Sequence, residues 1–300
     1  MNLLLNIASL LLALIPLPAL NVHLAQQLES QTLTRPLSAS LPEYQISPIP
    51  VKVADKPLRL TAASAYAVDL ASNQTLYSSH ASELRPIASI TKLVTALVIL
   101  GGHDPNEIIT IPPLPAYTAG DELAGLQPGM RLSVRDLLAA LLIKSGNDAA
   151  DALAINDSGS REAFAAKMNQ FVSRWGITEA HFSNPSGLSD VDNGAAAESL
   201  AKIGSLALRN ETITQLIKTP NTAITASDGR TLKLTTTNQL LLSNKFYGIK
   251  TGYTLAAGQC FIGLTTIQGH QVITVILGSQ DRFGESRLLA DWINKTYRWQ

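Results

Sequence analysis

The chain has 300 residues, no net charge, 46% hydrophobic residues and only 15% charged ones. That supplies a substantial core and excludes a disordered chain, while the balanced charge offers nothing to favour nucleic acid or a polybasic membrane contact. One cysteine, Cys260, excludes an internal disulfide; His23, His80, His103, His181 and His270 stand at no zinc-ligand spacing, so neither a metal nor an organic cofactor is implied.

Residues 3–20, LLLNIASLLLALIPLPAL, are almost wholly apolar, the length of a signal-peptide core or a marginal spanning helix. No lysine or arginine precedes Arg35, and Pro16 and Pro18 break the run. The expectation is export, with residues 1–25 a signal peptide or an N-terminal membrane anchor. Residues 26–57 are polar, carry five prolines and read as a linker. The folded domain is expected over 58–300.

Within it, residues 63–79 alternate, turn at Ala71-Ser72-Asn73-Gln74 and alternate again, which predicts a β-hairpin. From Pro86 to Gly102 the only charge is Lys92, and Ile87, Ile90, Val94, Leu97 and Val98 recur at helical spacing. Ser133 begins a helix with an S-x-x-D capping box completed by Asp136, ending near Lys144. Further helices are expected at 148–156, 160–174, 195–209 and 212–218. A second hairpin turns at Asp228-Gly229, and three strands follow: FYGIKTG, GQCFIGLTTI and HQVITVILG, the last two joined by a tight turn at Gln268-Gly269. Residues 282–299 close as an amphipathic helix. A helical insert thus lies between strands from both ends, and the strands most simply make one antiparallel sheet covered by terminal helices. The class is α/β in the α+β sense.

Three short motifs carry the chemistry. Ser89-Ile90-Thr91-Lys92 is S-x-x-K; about one helical turn apart, the two side chains share a face. A lysine in an apolar run is disfavoured unless paired, which marks Ser89 as a candidate nucleophile and Lys92 as its base. Bringing an ordinary lysine to neutrality at pH 7 costs about 4.6 kcal/mol, which apolar burial and a second cation, Lys250, would reduce. Ser145-Gly146-Asn147 follows the capped helix, and Lys250-Thr251-Gly252 ends a strand. Each motif alone has an ordinary structural reading: a snorkelling lysine, a helix-end turn, an edge strand.

Together and in this order they resemble the S-x-x-K, S-D-N and K-T-G set of penicillin-binding proteins and class A β-lactamases. The chain from about Leu58 to Trp299 resembles the serine D-alanyl-D-alanine carboxypeptidases, low-molecular-mass penicillin-binding proteins of peptidase family S11. PIASITKLVTAL, LLIKSGNDAADALA, HFSNPSGL, GIKTGYT, AAGQC and LLADW carry the likeness. The resemblance implies a β-lactamase/transpeptidase-like fold with a helical subdomain. It implies peptidoglycan stem peptides as substrate, β-lactam antibiotics as inhibitors, and no membrane contact beyond the N-terminal segment. It casts Ser89 as nucleophile, Lys92 as base and Ser145 as proton relay. Asn147 would donate to the substrate backbone, Lys250 and Thr251 would take its terminal carboxylate, and Gly252 would let the strand lie close to the ligand. The N–H groups of Ser89 and Tyr253 would form the oxyanion hole.

The middle motif is S-G-N rather than S-D-N, as in many carboxypeptidases of this family. The loop at 181–194 offers Asp190 and Asp192 but no glutamate for a lactamase deacylating water. Three alternatives remain: a D,D-endopeptidase, as among shorter relatives, a β-lactamase, and a non-catalytic wall-binding homologue. Asn193 is the expected N-cap of the helix after that loop. Cys260 reads as core and the histidines as surface or loop residues. Arg230, Arg282 and Arg287 are the candidate partners of Lys250.

Overall fold

A computed structural model of the protein describes residues 48–188, 193–243 and 246–300. The expected leader at 1–25, most of the expected linker, and Asp190 and Asp192 lie outside the described residues.

Five strands form the main sheet: β1 (Ser64–Asp69), β2 (Thr75–Ser79), β3 (Phe246–Thr254), β4 (Gly258–Ile267) and β5 (His270–Ser279). Their order is β3-β4-β5-β1-β2, every neighbour antiparallel. Both hairpins sit where the sequence places them. The β4–β5 turn needs a left-handed backbone at Gln268 (φ 51°) and Gly269 (φ 86°), the requirement of a two-residue hairpin. Period-two alternation gives the sheet two apolar faces. Ala65, Ala67, Phe261, Val272 and Ile276 face one way, and Val68, Ile262, Leu264, Ile273 and Val275 the other.

The helical insert supplies α1 (Lys92–Leu100), α2 (Val134–Leu142), α3 (Asn147–Ser158), α4 (Arg161–Arg174), α5 (Ala197–Leu208) and α6 (Glu211–Ile217). The capping box at α2 is formed: Ser133 Oγ accepts from Asp136 N at 3.0 Å, and Asp136 Oδ2 accepts from Ser133 N. The final helix, α7 (Arg282–Thr296), lays Phe283, Leu289 and Ile293 on one face of the sheet. On the other face lies α5, where a methyl on Gly204 would stand 3.3 Å from Ile249 Cδ1.

Several expectations are corrected. Ahead of the expected boundary at Leu58, Pro50–Lys52 is a strand, paired antiparallel with Tyr297–Trp299. The same pairing ends the last helix at Thr296 rather than Trp299. A three-residue strand whose partner lies at the far end of the chain leaves no local pattern to read. Residues 53–63 hold no helix, so among the described residues only the carboxy-terminal helix covers the sheet as a terminal helix. Asn221–Thr225 and Thr231–Thr235 form their own ribbon instead of joining the main sheet. Their alternation buries only Ile224 and Leu234, which join the core of the helical part. Asn193 does not cap α5, whose N-cap is Ala196; its Oδ1 instead accepts from Ser183 N at 3.1 Å.

Candidate active site

Ser89 lies in a 3₁₀ turn, Ala88–Thr91, entered through Ala88 at φ 49°, and α1 begins only at Lys92. The S-x-x-K spacing predicts both residues on one α-helical turn. The 3₁₀ turn serves the purpose more directly, because positions i and i+3 eclipse in it. Lys92 Nζ lies 2.7 Å from Ser89 Oγ. Ser89 is partly exposed, whereas Lys92 is fully buried.

Lys92 Nζ makes two further contacts, donating to Asn147 Oδ1 at 2.7 Å and to the Ser186 carbonyl at 2.8 Å. Three acceptors match the three donors of an ammonium group. Asn147 opens α3, and the helix start fixes its position. The Ser186 carbonyl is a site group the sequence reading missed. It belongs to the Asn-Pro-Ser-Gly turn, in which Asn184 Oδ1 accepts from Ser186 N (3.1 Å) and Gly187 N (2.7 Å). The turn signal was visible, but a backbone carbonyl leaves no mark of its role in sequence.

Burial pulls the Lys92 amine down to about 7, against the carboxylates of Asp151, Asp148 and Glu122, which favour its charged form. Lys92 and Lys250 are two buried amines that disfavour each other's charge. Burial, then Lys92 and Arg282, hold Lys250 well below its ordinary range.

Lys250 Nζ donates to Ser145 Oγ at 2.8 Å and to the Thr251 carbonyl at 3.1 Å. Ser145 sits in a left-handed conformation (φ 66°) between α2 and α3, where its hydroxyl meets the β3 lysine. The two S–K pairs thus present their hydroxyls to one cleft of about 630 Å³, lined by Ser89, Ser145, Thr237, Thr251, Tyr253 and Arg282 among others. Thr237 Oγ1 lies 2.6 Å from Thr251 Oγ1. Of the three candidate arginines only Arg282 lines this cleft; its Nη1 donates to the Gly252 carbonyl at 2.8 Å. Arg230 is held by Asp228 and Gln127, and Arg287 lines a separate cavity with Tyr247 and Gln268.

Gly252 has a second reason beyond closeness to a ligand. A methyl there would meet the Ile87 carbonyl at 2.7 Å, so its absence lets edge strand β3 close on the Ser89 turn. Opposite Gly252 in the ladder, Cys260 is buried, and burial pushes its thiol up to about 11, away from reactivity. His103 is tied to Glu107 and Asp157, and His80 to Glu83. Neither these nor His181 lines the cleft.

All eight residues expected at the site therefore meet. Six of them (Ser89, Lys92, Ser145, Asn147, Lys250 and Thr251) are linked by side-chain or backbone hydrogen bonds or line the cleft, and Gly252 and Tyr253 form its β3 wall. A partly exposed hydroxyl beside a buried amine, a second hydroxyl–lysine pair and a guanidinium suit acyl transfer from a substrate bearing a carboxylate.

Residues 51–281 match the family model for D-alanyl-D-alanine carboxypeptidase, peptidase S11. A D-alanyl-D-alanine endopeptidase of Escherichia coli is 33% identical over 78% of this chain and 77% of its own length. A D-alanyl-D-alanine carboxypeptidase of Bacillus subtilis is 30% identical over 73% of this chain, which spans 57% of that relative. The crystal structure of the Streptomyces K15 DD-transpeptidase superposes with a TM-score of 0.72 at 28% identity, over 80% of this chain and 99% of that one. The chain belongs to the D-alanyl-D-alanine carboxypeptidase family and is a serine hydrolase with the transpeptidase-like fold.

Proposed function

We propose that the protein removes the terminal D-alanine from peptidoglycan stem pentapeptides through an acyl-enzyme on Ser89. The observation that carries this is the 2.7 Å contact between Ser89 Oγ and a buried amine held near 7. Once neutral, Lys92 accepts the Ser89 proton as Oγ attacks the penultimate D-Ala carbonyl. The N–H groups of Ser89 and Tyr253 receive the oxyanion. Collapse breaks the peptide bond, and the proton held by Lys92 is relayed through Ser145 to the departing amine, which leaves Lys92 neutral to take a proton from the incoming water and return it to Ser89 Oγ. Water then hydrolyses the ester and restores Ser89.

Lys250, Thr251 and Arg282 hold the terminal carboxylate, and Asn147 donates its amide to the peptide backbone while its Oδ1 steadies Lys92. A β-lactam acylates the same hydroxyl. The apolar run at 3–20 supports export to a periplasmic or other extracytoplasmic site, with residues 1–25 as leader or anchor and 58–300 as the peptidase domain, extended by the strand at Pro50–Lys52.

The second reading is a D,D-endopeptidase, favoured by the 33% identical Escherichia coli relative of that name. Mass spectrometry of products separates the two. Loss of one alanine from a pentapeptide muropeptide, absent in Ser89→Ala, is the expected result. Conversion of a cross-linked dimer to monomers with the pentapeptide intact assigns the endopeptidase instead. In the same assay Arg282→Gln raises KM about tenfold or more with a smaller effect on kcat, because a charge-assisted bond to the carboxylate is lost. An unchanged KM removes Arg282 from carboxylate binding.

A further inference from the structure

One buried acid beneath the site has no part in the steps above. Asp151 lies on α3 one turn after Asn147, so the two side chains share a face about 6 Å apart at Cβ. Its carboxylate is 2% exposed. Tyr117 Oη donates to Asp151 Oδ2 at 2.8 Å, and Arg161 Nε approaches Oδ1 at 3.1 Å. Asp151 is therefore pinned from two sides, by the 112–125 loop that walls the cleft and by the first turn of α4. A buried carboxylate with one hydroxyl and one guanidinium is costly to keep. Its neighbour Asp148, by contrast, holds that loop in place by accepting from the backbone N–H groups of Ala124, Gly125 and Leu126.

We propose that Asp151, clamped by Tyr117 and Arg161, is a positioning residue that sets the pH at which Lys92 becomes available as a base. It acts through space from below Asn147, which itself touches Lys92 Nζ. Among the acids that favour the charged form of Lys92, Asp151 has the largest influence, ahead of Asp148 and Glu122. The charged groups around Asp151 are Arg161 from α4, Lys92 from α1, Asp148 from its own helix and the Tyr117 hydroxyl from the loop. On α2, Arg135 and Asp136 are engaged with Gln215 and Ser133; on α4, Lys167 is engaged with Asp157. A negative charge near an ammonium holds its proton on, so removing that charge frees the amine at lower pH. Arg161 tempers the same field.

The inference rests on Lys92 serving as the base, and the test separates the two. The acylation rate of the full chain by a fluorescent penicillin is followed from pH 5 to 9 for the wild type, Asp151→Asn, Arg161→Gln and Lys92→Met. The wild type is expected to lose rate on the acid side of about pH 7. Asp151→Asn moves that limb down by about 0.5–1 pH unit, so that near pH 5.5 it acylates about three- to tenfold faster than the wild type, with the alkaline plateau little changed. A merely structural role would lower the rate equally at every pH. If Asp151→Asn does not fold, the half-buried Arg161→Gln carries the test, since leaving the Asp151 charge uncompensated moves the acid limb up. An unmoved limb in the folded variants overturns the proposal while leaving the base intact. A wild type with no acid limb, or a Lys92→Met protein that still acylates at the native rate, overturns the reading of Lys92 instead.

Discussion

Lys92→Met is expected to lower the rate of Ser89 acylation by about three orders of magnitude, the middle of the range for loss of a general base. Methionine keeps the length and apolar character of the side chain, so the change removes the amine and little else. The stability consequence is as specific as the kinetic one. In the folded state the amine titrates near 7, and unfolded it returns to about 10.5. Between those values the unfolded chain binds one proton more than the folded chain, so stability from this group rises with pH across the window. The slope is up to about 1.4 kcal/mol per pH unit. Below about pH 7 both states hold the proton and the burial penalty is fully present. Urea unfolding of the wild type at pH 7.5 and 9 should show the rise, and Lys92→Met should lose that share of it. The depressed Lys250 acts in the same direction and remains in the variant. At neutral pH the relief of the buried charge is offset by the stranded acceptors Asn147 Oδ1 and Ser186 O, each costing about 1–3 kcal/mol. A variant with normal acylation, or with an unchanged pH slope, would remove Lys92 from the base role.

The parts of this molecule that could be read from sequence are those whose cause is local. The capping box at Ser133 needs only Asp136 three residues on, and it forms as expected. Gln268-Gly269 needs only a turn type. Ser89 and Lys92 need only one turn of helix, and the tighter 3₁₀ form satisfies the same spacing. The order of S-x-x-K, S-G-N and K-T-G supplied the one long-range fact, that three distant segments meet. What stayed hidden depends on partners far along the chain. Pro50–Lys52 becomes a strand only because Tyr297–Trp299 lies beside it. The Ser186 carbonyl and the Asp151–Arg161–Tyr117 clamp have no residue spacing to reveal them. Arg282 could not be chosen over Arg230 and Arg287 until α7 was placed at the end of the cleft. Local chemistry writes elements and motifs, whereas tertiary contact decides which polar groups a buried amine touches.

Gly187 shows how tightly the missed segment is tied to the site. Its φ is +74°, and a methyl group there would stand 2.0 Å from the Ala88 carbonyl and 2.7 Å from Thr91 Oγ1. Both contacts belong to the 3₁₀ turn that carries Ser89. The preceding residues are clamped as well, with the Pro185 carbonyl accepting from Thr95 Oγ1 at 2.6 Å and the Ser186 carbonyl from Lys92. The loop cannot yield to a side chain without carrying the Ser186 carbonyl off the lysine. Gly187→Ala should therefore cost about 3–5 kcal/mol, from left-handed strain and overpacking together, and lower the melting temperature by about 10 °C. Acylation of the surviving folded fraction should fall too, since Lys92 would lose one of its three acceptors. Gly129→Ala is the matched control: its φ is +86°, but nothing lies within 4 Å of the added methyl. That variant should lose only about 1 kcal/mol and keep its acylation rate. Thermal melts and penicillin acylation of the two proteins isolate the contact from the backbone conformation. If Gly187→Ala melts and acylates like Gly129→Ala, the 184–187 turn does not press on the Ser89 turn, and the Ser186 carbonyl is not what holds Lys92 in place.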